Sequence, residues 1–315
     1  MKKFVNSEGR NLTYIDEGEK EWRTVLFFSG SGTSAQAFYL TEFLRSLRLE
    51  LKLRFISLER NGFGETEFVA GQNFQDHAKD IKQLLDSLGV DKFAGVAISG
   101  GGPYLEAAAA AMPERVVSLH YAAAFSNSET EPLNSCKRIR ENAKKYYADL
   151  ASWVRNPKVW WDLGTNTSIH KIPAFQDTAN NEGAHSFFIR GQMADPAPIV
   201  HEYALFCKAP APAGPSEIEA PVYMYYGTAD KSVPPVHAEF WKRHYPKGAQ
   251  TLRLYQDEGH DVQYRHWDQI LVDLAGLGDK TVVCRDGRPR LVKADAADKL
   301  LADGKATLGL CMWTD

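Results

Sequence analysis

Ser99 stands in the segment AGVAISGGGPY (residues 94–104), where an apolar run ends on a serine and passes at once into three glycines and a helix-forming stretch. Ala97-Ile98-Ser99-Gly100-Gly101 follows the small-x-Ser-x-small pattern of a nucleophile elbow, with alanine at the first small position. A serine on a tight strand-to-helix turn needs small neighbours, so that the sharp backbone and the closely packed helix both fit. The same turn aims the Gly100 backbone N–H at a reacting carbonyl oxygen, beside a helix N-terminus that favours developing negative charge. The chemistry this suits is acyl transfer. The plainer reading of the same residues is a flexible strand-to-helix turn.

A serine hydroxyl is a weak nucleophile and needs a base within hydrogen-bond reach. Of the nine histidines, His260 has the most telling surroundings: it sits in QDEGHD, after the strand-like TLRLY and before the last helical pattern of the core. That position is the C-terminal edge of a parallel sheet, where α/β active sites form. His120 lies inside a strand and reads as a core residue, whereas His77, His237, His244 and His266 read as helix-face residues. His170, His185 and His201 fall in the aromatic-rich middle of the chain, within reach of a substrate. A base of this kind needs a third group to fix its tautomer and stabilise the imidazolium. Asp230, ending YYGTAD directly after a strand and before SVPP, is the candidate. Asp261 is adjacent to His260 and so is poorly placed to reach its ring.

The elements that must hold these residues alternate between short β-type runs and helical patterns, which argues for an α/β sheet flanked by helices. A hairpin is expected around residues 4–14, followed by strands at 24–28 (TVLFF), 54–58, 93–98, 116–124, 221–227 and 251–255. TVLFF and its like are nearly continuous apolar runs, as in strands buried on both faces. Helices are expected near 35–47, 74–88, 102–113, 236–244 and 263–277. From about 125 to 220 the strand–helix rhythm breaks, giving an expected core of residues 1–126 and 219–278 around a helical insertion at 127–218. Beyond Gly278, TVVCRDGRPRLVK reads as a hairpin and ADAADKLLADG as a short amphipathic helix, so that 279–315 form a C-terminal extension of open role.

With these motifs in chain order, residues from about 10 to 277 resemble the α/β-hydrolase superfamily, in its serine-nucleophile, cap-containing, esterase-like branch. SGSG after the third strand is similar to the family's His-Gly-x-x loop, with Ser29 in place of histidine, and ERNGFGET resembles its D-R-x-G-x-G-x-S turn, with Glu59 for Asp and Thr66 for Ser. ISGGGPY looks like the elbow, GTADKSVPP the acid loop and EGHD the histidine loop; the order Ser, Asp, His is the one the family uses. The resemblance implies a mostly parallel sheet and an oxyanion hole made by the backbone N–H groups of Ser31 and Gly100. It also implies that the insertion is a cap over the pocket. Its aromatic residues then suggest a hydrophobic substrate part, with Trp153, Trp160, Trp161 and Phe187 as pocket candidates. For any one of them the alternative is packing within the cap's own core.

The expected activity is hydrolysis of a small carboxylic ester through an acyl-enzyme on Ser99. Aminopeptidase, C–C hydrolase, lactonase and cofactor-free haloperoxidase chemistry fit the same residues, as does a slow-turnover ligand receptor. A rival of another class is dinucleotide binding, since Gly30-Ser31-Gly32-Thr33-Ser34-Ala35 fits G-x-G-x-x-A and Glu59 ends the next strand. That reading leaves Ser99, Asp230 and His260 unexplained.

A net charge of -3 carries no signature of nucleic-acid binding, and no run of membrane-spanning length or signal-peptide pattern is present. A cytoplasmic protein is expected, with a small-molecule substrate, no membrane or nucleic-acid partner, and a homodimer left open. The four cysteines lie far apart, without metal-ligand spacing, and are expected to be reduced thiols, Cys311 as a small core residue. Neither a metal nor an organic cofactor is called for.

Overall fold

A computed structural model describes residues 1–155, 195–208 and 217–311 of the chain. It opens with the antiparallel pair β1 (Lys2–Val5) and β2 (Asn11–Glu17), then β3 (Arg23–Phe28). A 3₁₀ stretch at Ala35–Leu44 and α1 (Arg45–Glu50) lead to β4 (Leu53–Leu58), and α2 (Phe74–Leu88) leads to β5 (Phe93–Ile98). Next come α3 (Gly102–Ala111), β6 (Val116–Ala122), and the insertion helices α4 (Asn134–Arg155) and α5 (Ala197–Lys208). The sheet resumes with β7 (Val222–Gly227), α6 (Val236–His244) and β8 (Gln250–Tyr255), and the core closes with α7 (Val262–Arg265) and α8 (Trp267–Leu274).

These strands form one eight-stranded sheet in the order β1-β2-β4-β3-β5-β6-β7-β8. It is parallel from β4 to β8 and antiparallel only where β2 meets β1 and β4. The period of two along each strand divides the core between the faces. Leu26, Phe28, Phe93 and Ala97 pack into one apolar cluster; Val25, Phe27, Ala94, Val96 and Ile98 pack into the other. Helices cover both faces, which is why β5 is buried throughout and reads in sequence as unbroken apolar residues. Helix α2 is bounded by local chemistry: Asn73 and Asp76 form a capping box at its start, and Gly89 ends it in the left-handed conformation.

Three features differ from the sequence expectation: the helix expected at 35–47 is the 3₁₀ stretch followed by α1, and the other two concern the last core helix and the cysteines. The last core helix is broken at His266 into α7 and α8, although its apolar pattern runs through the break. The cysteines, expected as reduced thiols, are paired. The fold brings the Cα atoms of Cys136 and Cys207 to 5.3 Å, joining α4 to α5, and those of Cys284 and Cys311 to 4.9 Å. Both pairs are disulfide-bonded, so the cysteines no longer argue for a reducing compartment. No helix among the described residues is long and apolar enough to cross a membrane.

The segment after Gly278 forms a second sheet, with β9 (Lys280–Arg285) central between β10 (Arg288–Lys293) and β11 (Thr307–Leu308), and carries α9 (Ala294–Ala302). Gln269 of α8 ties it to the core by donating to the Lys280 carbonyl and accepting from the Val282 amide, while Asp268 accepts from the Leu310 amide.

The junction of β5 and α3 has no room for larger residues. A Cβ on Gly101 would collide with the Phe28 carbonyl of β3, and one on Gly102 with the Phe125 carbonyl beyond β6. Both obstacles are backbone and cannot rotate aside. Gly101→Ala is therefore expected to destabilise the fold by about 1–3 kcal/mol. Urea unfolding should show a lower midpoint at unchanged slope; an unaltered midpoint would show that the junction is looser than the packing described.

Candidate active site

Ser99 follows β5 with a φ of +50°, a left-handed conformation that serine adopts only when its surroundings enforce it. The chain makes a single 3₁₀ turn, Ser99–Gly101, before α3 begins. The turn is fixed from outside by the Phe125 amide, which donates to the Ser99 carbonyl at 2.8 Å. The result is a half-buried hydroxyl at the tip of a rigid strand–helix corner.

His260 Nε2 lies 3.0 Å from Ser99 Oγ, and His260 Nδ1 lies 2.8 Å from Asp230 Oδ2. A carboxylate can only accept, so Nδ1 carries the proton and Nε2 is left as the acceptor facing the serine hydroxyl. Asp230 is itself held, its Oδ1 accepting the amides of Ser232 and Val233 at 2.8 and 2.9 Å. The loops that bear Asp230 and His260 are tied together: the Thr228 amide donates to the Tyr255 carbonyl, the Ala229 amide to the Glu258 carbonyl, and the Asp257 amide to Thr228 Oγ1. His266, stacked 3.5 Å over Tyr255, donates from Nε2 to the Glu258 carboxylate and closes the histidine loop from below. The His260 ring is bonded by Asp230, and the neighbouring Asp261 has its pKa raised by burial.

The loop after β3 lies against the elbow. The Ser31 amide nitrogen stands 3.0 Å from where a Cβ on Gly100 would be, and the Phe206 ring of α5 is equally near. The turn after β4 organises this loop. Arg60 donates to the carbonyls of Ser29, Gly30 and Thr33 at 3.1, 2.6 and 2.6 Å. Glu59 accepts from Ser34 Oγ and the Ala35 amide at 2.7 and 2.8 Å. Burial pushes the Glu59 carboxyl up to about 7, against the pull of those two hydrogen bonds and of Arg60. The dinucleotide reading needs Glu59 exposed to a ribose; it is fully buried and bonded to its own loop.

Sequence reasoning overlooked Glu202. This buried carboxylate of insertion helix α5 accepts from the Gly32 amide at 2.7 Å and from the Tyr104 hydroxyl at 3.2 Å, and pairs with Arg60 at 3.1 Å. Burial raises its pKa, opposed first by Arg60. One turn further on, Phe206 joins Phe74, Tyr104, Phe125 and Tyr203 in an aromatic cluster beside Gly100. His237, expected on a helix face, is buried against Phe125; its Nδ1 accepts from the Ser126 amide, and burial lowers its pKa to about 4.

His120 is a core residue, bonded to Tyr225 and Ser118. His201 contacts the Gln72 carbonyl. Of the aromatic pocket candidates, Trp160, Trp161 and Phe187 lie outside the described residues, as does the side chain of Trp153 on α4. Beside His260 opens a polar cavity of about 440 Å³, lined in part by Lys231, Asp257, Glu258 and Arg265. Among the described residues, no group of three or more His, Cys, Asp or Glu side chains is placed to hold a metal ion.

Residues 25–278 match the alpha/beta hydrolase family. A comparison with curated proteins finds no match. Among solved structures, an enol-lactonase from Burkholderia xenovorans is similar at a TM-score of 0.65 and 14% identity, over 88% of this chain and 99% of that one. An esterase from a Rhodococcus species gives 0.62 at 16% identity, over 88% and 99% of the two chains. An esterase from Exiguobacterium antarcticum gives 0.62 at 13% identity, over 87% and 97%. At these identities the likeness is one of fold.

The hydrogen-bond chain makes a prediction that needs no substrate. Asp230→Asn can keep its Oδ1 contacts to Ser232 and Val233 while presenting an N–H to His260, so Nδ1 must become the acceptor and the proton must move to Nε2. Imidazole ¹⁵N chemical shifts are expected to report the Nδ1–H tautomer in the native protein and the Nε2–H tautomer in the variant. The same tautomer in both would contradict the geometry.

Proposed function

Because this chain belongs to the alpha/beta hydrolase family, we propose that it is a serine hydrolase that cleaves a small carboxylic ester, or a related acyl compound, with a hydrophobic part. The observation that carries the reading is the unbroken hydrogen-bond chain from Ser99 Oγ through His260 to Asp230. In this scheme His260 Nε2 takes the Ser99 proton as Oγ attacks the carbonyl carbon. The negative oxygen of the tetrahedral intermediate sits against the amides of Ser31 and Gly100, and Asp230 stabilises the imidazolium. His260 then passes its proton to the leaving oxygen, and the acyl group remains on Ser99. Water repeats the steps: His260 removes its proton, the acid is released, and the serine hydroxyl is restored.

The hydrophobic part is supported by the aromatic side chains gathered around Phe206 beside Gly100. Esters and lactones share the same scissile acyl–oxygen bond, so the chemistries named for the fold neighbours above require the same steps. An ester panel that includes lactones separates them by rate.

Labelling with a fluorophosphonate probe followed by peptide mapping tests the reading. A single adduct is expected on the Ser99 peptide, absent from Ser99→Ala. Turnover of short-chain p-nitrophenyl esters should vanish with it. Folded protein that takes no label and hydrolyses none of the panel would overturn the assignment and favour a binding role on the same fold.

A further inference from the structure

The Ser31 amide can serve a developing oxyanion only if the two peptide units that flank the Ser31 Cα are fixed, and a different buried charge helps to hold each. The Gly30 carbonyl and the Ser31 N–H belong to one planar trans peptide and point in opposite directions. Arg60 holds the Gly30 carbonyl at 2.6 Å, together with the Thr33 hydroxyl at 2.7 Å, and so turns the Ser31 N–H away from itself. On the other side, the Gly32 N–H is held at 2.7 Å by Glu202. Gly32 has a φ of +71°, a conformation open to glycine and to few other residues, so an unheld peptide here has other orientations to visit. Glu202 therefore fixes the loop directly through Gly32 and indirectly through Arg60, with which it pairs at 3.1 Å.

Glu202 reaches the loop from the insertion between β6 and β7, outside the sheet. It lies on α5 four residues before Phe206, hence on the same helix face. The pair brings a carboxylate to Gly32 and an aromatic ring to Gly100 in one docking contact. Cys207, next in the chain, ties α5 to α4.

We propose that Glu202 is a positioning residue for the oxyanion hole, and that seating of the insertion helix α5 and completion of that hole are one event. The inference rests on the serine-hydrolase reading. It makes the insertion part of the catalytic machinery in addition to a cover over the substrate: an enzyme whose α5 is unseated binds an ester but stabilises its tetrahedral intermediate poorly.

The test uses Glu202→Gln and Glu202→Asp in the full chain. The first keeps the shape but cannot satisfy both Gly32 and Arg60 as an anion does. The second keeps the charge opposite Arg60, which protects folding, but is one methylene short of the Gly32 amide. Enzyme is counted by fluorophosphonate titration, so that unfolded protein does not enter the rates. Either folded variant is expected to lose roughly 10- to 100-fold in kcat on a p-nitrophenyl ester with KM within about twofold. Affinity for a trifluoromethyl ketone, which forms a tetrahedral adduct, should fall in step with kcat/KM, whereas that for the plain methyl ketone should hold. Titrated Glu202→Asp with native kcat, or a loss confined to KM or to thermal stability, would overturn the proposal while leaving the hydrolase reading intact. A native enzyme with neither label nor turnover overturns the hydrolase reading, and this inference with it.

Discussion

Much of this structure answers to one constraint: a serine held at a positive φ where a parallel strand turns into a helix. A non-glycine residue in that conformation costs about 1–2 kcal/mol relative to its relaxed backbone, and persists only where neighbours leave no alternative. Here the neighbours are backbone. The Phe28 carbonyl closes on Gly101 and the Phe125 carbonyl on Gly102, so the ends of the strands on either side of β5 grip the turn between them. The parallel register that places those strand ends at one sheet edge is thus also what exposes the Ser99 hydroxyl there.

Around that fixed corner, the partners of Ser99 come from loops, and each loop is made rigid by bonds to another loop. The Asp230 and His260 segments are joined amide to carbonyl, and His266 clamps Glu258 beneath them. The Ser29–Ser34 segment is held by Arg60 and Glu59 from the turn after β4, and by Glu202 from the insertion. Burying these charges is costly unless each finds partners. Arg60 meets three carbonyls and a carboxylate; Glu59 meets a hydroxyl and an amide. The buried polar groups serve to specify one loop conformation, a use that the hydrophobic core, being non-directional, cannot supply.

How much of this is legible in the sequence follows from how local each constraint is. The elbow is legible because its steric demands fall on consecutive residues, Ala97 to Gly102. The sheet is legible because burial on both faces writes itself as runs such as TVLFF. Asp230 and His260 stand out because each lies in a short loop that leaves the end of a strand. Glu202 does not, because its contact with Gly32 spans 170 residues and a glutamate in a helix reads as a solvated face. The cysteine pairs, 71 and 27 residues apart, carry no spacing signal and so were expected as thiols. His237 looks like any helix histidine until the fold packs it against Phe125. The break at His266 is hidden because the apolar residues of α7 and α8 keep helical spacing across it.

In the proposed reaction Ser99 carries the acyl group between two half-reactions. The most direct measurement is mass spectrometry of enzyme quenched in acid while turning over a slowly deacylating ester such as p-nitrophenyl pivalate. One acyl group per chain is expected, mapped to the peptide containing Ser99 and formed together with a stoichiometric burst of p-nitrophenol. Sustained hydrolysis with no adduct on that peptide, or with the acyl group on another residue, would contradict it.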